Sequence, residues 1–332
     1  MKSEIVISRG NDWRQLLVVL LTAVLTVFLA HRISKGVNIE ELSSLMSNLA
    51  PTNLVWIGLA ILLLVPNWII EAGKLRLVLT QQNQRTAREL SMVTCFKSVL
   101  TGVTLGIITP ARLGEYGGRL VAFPKERRAQ VIGATLVTSL GQTIVTLGIG
   151  LVCALVLLEE YQFLKTEWLL IGASVCIVAV LVGILYLPEL ISSLAKWPFI
   201  NTKTKNDLEK STKEVLSLSG ICLAKVLGLS TLRYGVYTVQ YLIVLRVLGV
   251  DASFLTLLLH IPLIFFLQTL MPLPPITSLV GRVSAAVVIL THLGPSDFVI
   301  LTASSLVWVI NLVIPAFLGL GLLWMALIDK SQ

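Results

Sequence analysis

The chain has 332 residues, of which 55% are hydrophobic and only 13% are charged, and its formal net charge is +8. A mean hydropathy of +0.88 excludes a soluble globular domain. Apolar runs long enough to cross a bilayer, which takes roughly 20 residues, recur from one end of the chain to the other. The composition therefore predicts an all-α polytopic membrane protein, and we expect one integral membrane domain over residues 1–332.

Six apolar runs are predicted to cross the membrane completely. In chain order they cover residues 13–30, 54–70, 130–158, 168–187, 220–250 and 298–327. The first run follows basic residues as a signal peptide would, but its length and the poor cleavage sequence FLAHR favour a retained helix. The polar stretch at residues 188–219 is too short to form an independent soluble core.

Two further apolar regions, residues 92–123 and 254–290, are interrupted by the sequences ITPARLGE and MPLPPITS. Backbone groups freed by proline and glycine in lipid must be satisfied by protein or water, so such breaks belong inside a helix bundle. We therefore predict two re-entrant helical hairpins. Their tips are assigned to the proline and glycine positions Pro110, Gly114, Gly118, Pro272, Pro274 and Gly281.

The distribution of basic residues favours hairpins, because Lys and Arg concentrate in cytoplasmic loops. If each broken region enters and leaves on one side, most of the 26 basic residues face the cytoplasm. These include Lys74 and Arg76, assigned to a loop after the second span, and the cluster within residues 112–128. A complete crossing of the first broken region would export that cluster. We therefore expect a cell membrane protein with both termini in the cytoplasm.

Each half of the chain then contains three crossings and one hairpin, so the halves have opposite orientations. Aligning Gly118-Arg119-Leu120 with Gly281-Arg282-Val283 gives an offset of 163 residues and brings every predicted element onto a counterpart. We expect repeat 1 at about residues 13–158 and repeat 2 at about residues 168–327. Inverted repeats with broken helices are typical of transporters. The alternative is a duplication retained in a structural membrane protein.

Ionisable side chains inside the membrane are the strongest functional signal. One such group costs roughly 2.5–3.5 kcal/mol at the centre of a spanning helix, so it is usually paired or lines a wet cavity. Glu115 and Arg119 are four residues apart and are able to pair on one helix face. That pairing leaves other basic groups in the membrane segments, with Glu115 and Glu71 as their evident partners.

This excess of basic groups predicts an anionic ligand. A helix that begins near Leu113 would add free N–H groups and its positive dipole end at the hairpin tip. The candidate substrate-binding residues are Arg112, Glu115, Arg119, Arg282, Arg233 and Lys97.

Metal and cofactor chemistry is not expected. The four cysteines lie singly in apolar segments without a C-x-x-C pair, and the three histidines are also isolated. We therefore predict no metal, no cofactor and no nucleic acid partner, and the oligomeric state stays open.

The sequence TPARLGEYGGRL resembles the P-x-R-x-G-E-x-x-x-R signature of a flippase-like family. That family includes the transmembrane part of lysylphosphatidylglycerol synthase/flippase proteins, the multiple peptide resistance factors. The signature positions correspond to Pro110, Arg112, Gly114, Glu115 and Arg119. The sequence MPLPPITSLVGRV stands where the family carries a second motif, which commonly ends in a glutamate that is absent here.

The resemblance implies movement of a phospholipid between leaflets. Because no counterpart of the soluble aminoacyl-transfer domain is found, we do not expect this chain to attach lysine to a lipid. The leading hypothesis is a non-enzymatic flippase for an anionic lipid or lipid-linked headgroup. The alternatives are a membrane-embedded transferase acting on a lipid-linked sugar or isoprenoid phosphate, and a noncatalytic subunit of an envelope assembly.

Overall fold

The computed structural model describes residues 51–82, 90–109, 112–160, 218–271 and 275–328, together with six isolated positions, 20, 24, 26, 27, 31 and 174. Helices joined by short connections make up these ranges, and none of the described residues lies in a strand. The prediction of an all-α protein is therefore confirmed. The predicted spans at residues 13–30 and 168–187 lie outside the described ranges except for isolated positions, as do Pro110, Pro272 and Pro274.

The described helices are numbered in chain order. They are α1 (Pro51–Leu62), α2 (Leu64–Gln82), α3 (Met92–Ile108), α4 (Leu113–Arg119), α5 (Arg128–Glu160), α6 (Gly220–Val247), α7 (Phe254–Leu270), α8 (Pro275–Leu290), α9 (Asp297–Trp308) and α10 (Ile314–Ile328). A π-helical segment, Val309–Val313, joins α9 to α10.

Three described helical stretches are long and apolar enough to cross a membrane: Pro51–Gln81, Lys125–Leu157 and Asp297–Ala326. They overlap three of the predicted spans. Helix α6 has 28 residues, sufficient length for a crossing. It is less apolar because it carries polar side chains such as Arg233 and Gln240, which turn into the bundle.

One part of the charge argument is wrong. Helix α2 continues to Gln82, so Lys74 does not lie in a loop, and its side chain is completely buried. The ammonium group is 2.8 Å from the carboxylate of Glu71 one turn earlier, which offsets the electrostatic cost of burial. Arg119 is also buried, with 2% of its surface exposed. Neither residue counts as a cytoplasmic loop charge.

The first broken region forms a helical hairpin. Helix α4 folds back along α3, because the Oγ1 of Thr101 donates to the carbonyl of Gly118 at 2.9 Å and the Oγ of Ser98 donates to that of Arg119 at 2.8 Å. The approach depends on a small residue at Gly118, where an added Cβ would lie 2.3 Å from the carbonyl oxygen of Thr101. The glycine therefore sets the distance between the two arms.

The second broken region also forms a hairpin. Helices α7 and α8, which precede and follow residues 272–274 in the chain, pack against each other. His260, near the start of α7, lies close to His292, just beyond the end of α8, with 3.2 Å between their Nε2 atoms. The two arms are therefore antiparallel. Both hairpins pack into one bundle with α2, α5, α6 and the α9–α10 unit.

Candidate functional site

A cavity of about 480 Å³ lies where the two hairpins meet α2, α5, α6 and the π-helical segment. We call it the central cavity. Its volume is within the range of small-molecule sites, roughly 300–1,000 Å³. Charged residues, aromatic rings, amides and hydroxyls all contribute to its wall. A cavity with charged and polar side chains in its wall therefore lies within the apolar bundle.

Five of the six predicted substrate-binding residues line the central cavity. They are Arg112, Glu115, Arg119, Arg233 and Arg282. Lys97 is exposed on α3 and does not line it. Of the predicted tip glycines, Gly281 lines the cavity, while Gly114 and Gly118 mediate packing of α4 on α3.

Glu115 joins the two arginines of the first hairpin. Its carboxylate lies 2.6 Å from Arg119 and 3.1 Å from Arg112. The predicted i,i+4 pair with Arg119 is therefore present, and Arg112 extends it. The three charges form a local group along the length of α4.

Glu71 joins that group to two other basic side chains. Its carboxylate lies 2.9 Å from Arg119, 2.8 Å from Lys74 and 3.1 Å from Arg233. These four side chains are 11% exposed or less. This buried network of charges thus holds the first hairpin, α2 and α6 together. Removing one charged side chain from it would leave others buried without a partner.

The backbone of Arg112 is unusual. It is the N-cap of α4 with φ 58° and ψ 23°, the left-handed region that non-glycine residues rarely occupy. Its side chain is 48% exposed, in contrast to Arg119. Helix α4 begins at Leu113 as predicted, but the N–H of Gly114 already donates to the Oγ1 of Thr109 at 2.7 Å. The half-exposed guanidinium group of Arg112 is therefore accessible to a ligand, whereas the N–H of Gly114 at the start of the helix already has an acceptor.

In the 163-residue alignment, Arg282 of the second hairpin corresponds to Arg119 of the first. In the described ranges it has no carboxylate within ion-pair distance, and its Nε has no hydrogen-bond acceptor. In the same alignment Ser278 corresponds to Glu115, so no carboxylate stands four residues before Arg282. Among the described residues, Arg282 is therefore the cavity-lining arginine that has no carboxylate as a counter-ion.

Arg233 is fixed by aromatic rings and amides. Its guanidinium group lies 5.2 Å from the ring centroid of Trp68 and 5.3 Å from that of Tyr237. Its Nε donates to Asn67 at 2.7 Å, and Asn67 donates to Asn311 of the π-helical segment at 2.8 Å. Such connections restrict the orientation of Arg233.

The charges that line the central cavity do not balance. Four arginines and two glutamates are present among its described residues, a formal excess of two positive charges. Several buried donors on lining residues also lack an acceptor within the described ranges: Nε1 of Trp68 and Trp308, Nε and Nη1 of Arg119, Nε2 of Gln268 and Nε of Arg282. An acceptor-rich anion would suit this wall.

Comparison with known families identifies the chain. The model of the lysylphosphatidylglycerol synthase TM region matches residues 15–319. The protein belongs to this family. The comparisons with curated proteins and with solved structures find no match. Family membership supports a multi-pass membrane protein connected with lipid modification or translocation.

The role of Lys74 and the amide connections were missed from the sequence. Glu71 and Lys74 are three residues apart at the end of an apolar run, and this spacing was the available signal for a buried pair. Asn67 and Asn311 are 244 residues apart, so no local pattern indicates their contact. The family signature therefore marks only the α4 side of a network that extends into α2, α6 and the π-helical segment.

Proposed function

We propose that this member of the family binds an anionic phospholipid or lipid-linked headgroup in the central cavity and moves it between leaflets. The observation that carries the proposal is the excess of arginine over carboxylate in the cavity, above all Arg282 without a carboxylate in the described ranges. The headgroup supplies the missing negative charge. No covalent chemistry is required of the chain.

Arginine suits this role because its planar fork donates two hydrogen bonds to one phosphate group. Arg282 and the half-exposed Arg112 make the direct contacts. Arg119 and Arg233 are held by Glu71 and contribute positive potential from the wall. The acyl chains stay in lipid, since drawing them through a polar chamber would cost their apolar burial.

The translocation mechanism rests on an inverted repeat. Adding 163 to the bounds of α3 gives residues 255 and 271, within one residue of the bounds of α7. The same offset places α4 at the start of α8. These correspondences support two related halves, and we propose that their hairpins enter the membrane from opposite sides. The termini then lie in the cytoplasm and the protein in the cell membrane.

Thiol labelling tests this topology. In a cysteine-free background, single cysteines at Arg85 and Lys125 are expected to be protected from an impermeant reagent added outside, while one at Glu160 is labelled. Labelling at position 125 together with protection at position 85 would contradict the inner hairpin and the inverted repeat.

Reconstitution tests the function. In vesicles with the purified full chain, a labelled anionic phospholipid is expected to change leaflet faster than a labelled neutral glycolipid. Arg282→Gln is expected to abolish that difference. Lys97→Gln is the matched control, because Lys97 is exposed outside the central cavity and its replacement is expected to leave both rates unchanged.

Equal rates for the two lipids would contradict the proposal. So would rates no higher than in empty vesicles across a panel of anionic lipids. The second result would favour the transferase or the assembly subunit.

A further inference from the structure

A pair of histidines lies at the base of the second hairpin, the end opposite the break at residues 272–274. His260 belongs to α7, and His292 lies in the short 3₁₀ turn Thr291–Leu293 that follows α8. They are 32 residues apart in the sequence, which is why the sequence predicts no metal site. The antiparallel packing of the two arms brings their Nε2 atoms to 3.2 Å. Neither residue lines the central cavity.

The backbone determines which nitrogen of His260 faces the pair. Its Nδ1 lies 2.7 Å from the carbonyl oxygen of Thr256, one turn earlier on α7. A carbonyl oxygen only accepts hydrogen bonds, so Nδ1 carries a proton and donates it. Nε2 then faces His292 as the nitrogen that binds a proton or a metal. Metal-ligating histidines commonly donate their other ring N–H to a backbone carbonyl in this way.

The separation of the two Nε2 atoms fits a shared metal ion. Zn²⁺ binds imidazole nitrogen at roughly 2.0–2.1 Å with tetrahedral angles, which places two such ligands about 3.3–3.4 Å apart. The observed 3.2 Å agrees with that separation within the tolerance of about 0.2 Å that applies to metal sites. A proton shared by the two rings gives a similar distance, so metal binding itself has to be measured.

The pair also has an access route and a carboxylate nearby. His260 is buried with 2% of its surface exposed, whereas His292 is exposed, so an ion reaches the pair from the side of His292. The carboxylate of Asp297 accepts from the Oγ1 of Thr291 at 3.0 Å, and Thr291 directly precedes His292. This negative charge beside the turn favours a cation at the pair.

The number of protein ligands determines the kind of site. Among the described residues, no group of three or more His, Cys, Asp or Glu side chains is placed to hold a metal. Two histidines therefore leave the other positions of a tetrahedral ion to water. Structural zinc sites are closed by four protein ligands. The histidine pair accordingly forms an open site whose ion exchanges with the solution.

We propose that His260 and His292 bind a transition-metal cation that joins the two arms of the second hairpin at its base. Imidazole suits Zn²⁺, Cu²⁺ and Ni²⁺, whereas Mg²⁺ and Ca²⁺ prefer oxygen ligands. Because both ligands come together only in the packed hairpin, the ion stabilises the folded chain. The proposal goes beyond the proposed function and is independent of the ligand in the central cavity.

Zinc titration of the full chain in detergent tests the site. The protein is purified without a polyhistidine tag, and calorimetry is expected to show one Zn²⁺ per chain. Saturating Zn²⁺ is expected to raise the melting temperature, whereas the same concentration of Mg²⁺ is expected to leave it unchanged. X-ray absorption at the zinc edge is expected to show two imidazole ligands.

His292→Gln is the diagnostic variant, because the exposed side chain can be replaced without disturbing the core. Glutamine keeps a hydrogen-bonding group but is a poor zinc ligand. The affinity for Zn²⁺ is expected to fall at least about tenfold, since even replacement of residues that only orient metal ligands costs that much. His31→Gln is the matched control. His31 is the other histidine of the chain and lies outside the second hairpin, so its replacement is expected to leave zinc binding unchanged.

Absence of zinc binding by the unmodified chain would overturn the inference. Zinc binding that His292→Gln leaves unchanged would also overturn it. A zinc-edge spectrum with a single imidazole would identify an adventitious ion on one histidine only, with the same consequence. These results are distinguishable from a failure of the proposed function, because leaflet exchange of anionic lipid is measured without added zinc.

Discussion

In the first hairpin, Arg119 is 2% exposed and contacts two carboxylates, those of Glu115 and Glu71. In the second hairpin, Arg282 occupies the corresponding position of the repeat alignment, one residue after a glycine. It has no carboxylate within ion-pair distance among the described residues. The two arginines line the same cavity but differ in electrostatic environment.

We propose that this difference separates a role in stability from a role in ligand binding. A buried arginine with two carboxylates holds α4 against α2, and its charge is already compensated. In the proposed function, an arginine without such partners is able to pair with an anionic ligand. In the 163-residue alignment, Ser278 corresponds to Glu115 and Tyr234 corresponds to Glu71, so neither carboxylate partner of Arg119 has an acidic counterpart in the second half.

The largest expected effect comes from the carboxylate that serves the first hairpin. Glu71→Gln leaves Lys74, Arg119 and Arg233 buried without their shared counter-ion, and is expected to destabilise the protein by about 3–5 kcal/mol. Thermal unfolding in detergent measures it. Asp251→Asn is the control, because Asp251 is fully exposed and lies 3.9 Å from Arg246, which is 39% exposed, so the loss of this pair is expected to be nearly neutral. Equal melting temperatures for both variants would contradict the network.

The second expected effect separates the two arginines. Arg119→Gln is expected to lower the melting temperature, although less than Glu71→Gln, since other cations still compensate the glutamates. Arg282→Gln is expected to leave stability nearly unchanged, yet to reduce transport of anionic lipid at least about tenfold, as expected for the loss of one charged hydrogen bond. A melting temperature lowered more by Arg282→Gln than by Arg119→Gln would remove the distinction between the hairpins.

The comparison of the two hairpins also predicts that a glutamate introduced near Arg282 will form an ion pair with it. Ser278→Glu places a carboxylate four residues before Arg282, as Glu115 precedes Arg119. We expect transport of anionic lipid to fall several-fold while thermal stability is maintained. Ser278→Gln, which has the same shape without the charge, is the control and is expected to retain most of the activity. Similar loss in both variants would indicate obstruction of the cavity rather than neutralisation of Arg282.

The smallest expected effect concerns the backbone at the first tip. Arg112→Asn introduces a residue type that adopts the left-handed region more readily than arginine does. It also removes the half-exposed ion pair with Glu115. These contributions oppose each other, so the free energy of unfolding is expected to change by less than about 1 kcal/mol. Chemical denaturation measures this change. A loss as large as that of Glu71→Gln would show that Arg112 belongs to the stabilising network.

The sequence predicted both hairpins and their arginines because proline, glycine and charge are conspicuous within apolar runs. It did not predict which face of α3 packs inward. Lys97 is exposed although its neighbour Ser98 is completely buried, since consecutive helical residues point in directions about 100° apart. The position of Lys74 was missed for a related reason. The ion pair with Glu71 allows Lys74 to be buried in the bundle, whereas the positive-inside argument assigned this lysine to a loop.

The π-helical segment Val309–Val313 has a consequence for the far side of the bundle. An extra residue in one helical turn rotates all the following residues of the helix about its axis. With this phase, Gly319 faces α3, where an added Cβ would lie 2.3 Å from the carbonyl oxygen of Leu100, and Thr104 donates to the carbonyl of Ala316 at 2.8 Å. Without the insertion, α10 would rotate by about 100° and present a leucine instead of Gly319. The π-helical turn that directs Asn311 inward thus also determines that Gly319 is the residue of α10 that packs against the first hairpin.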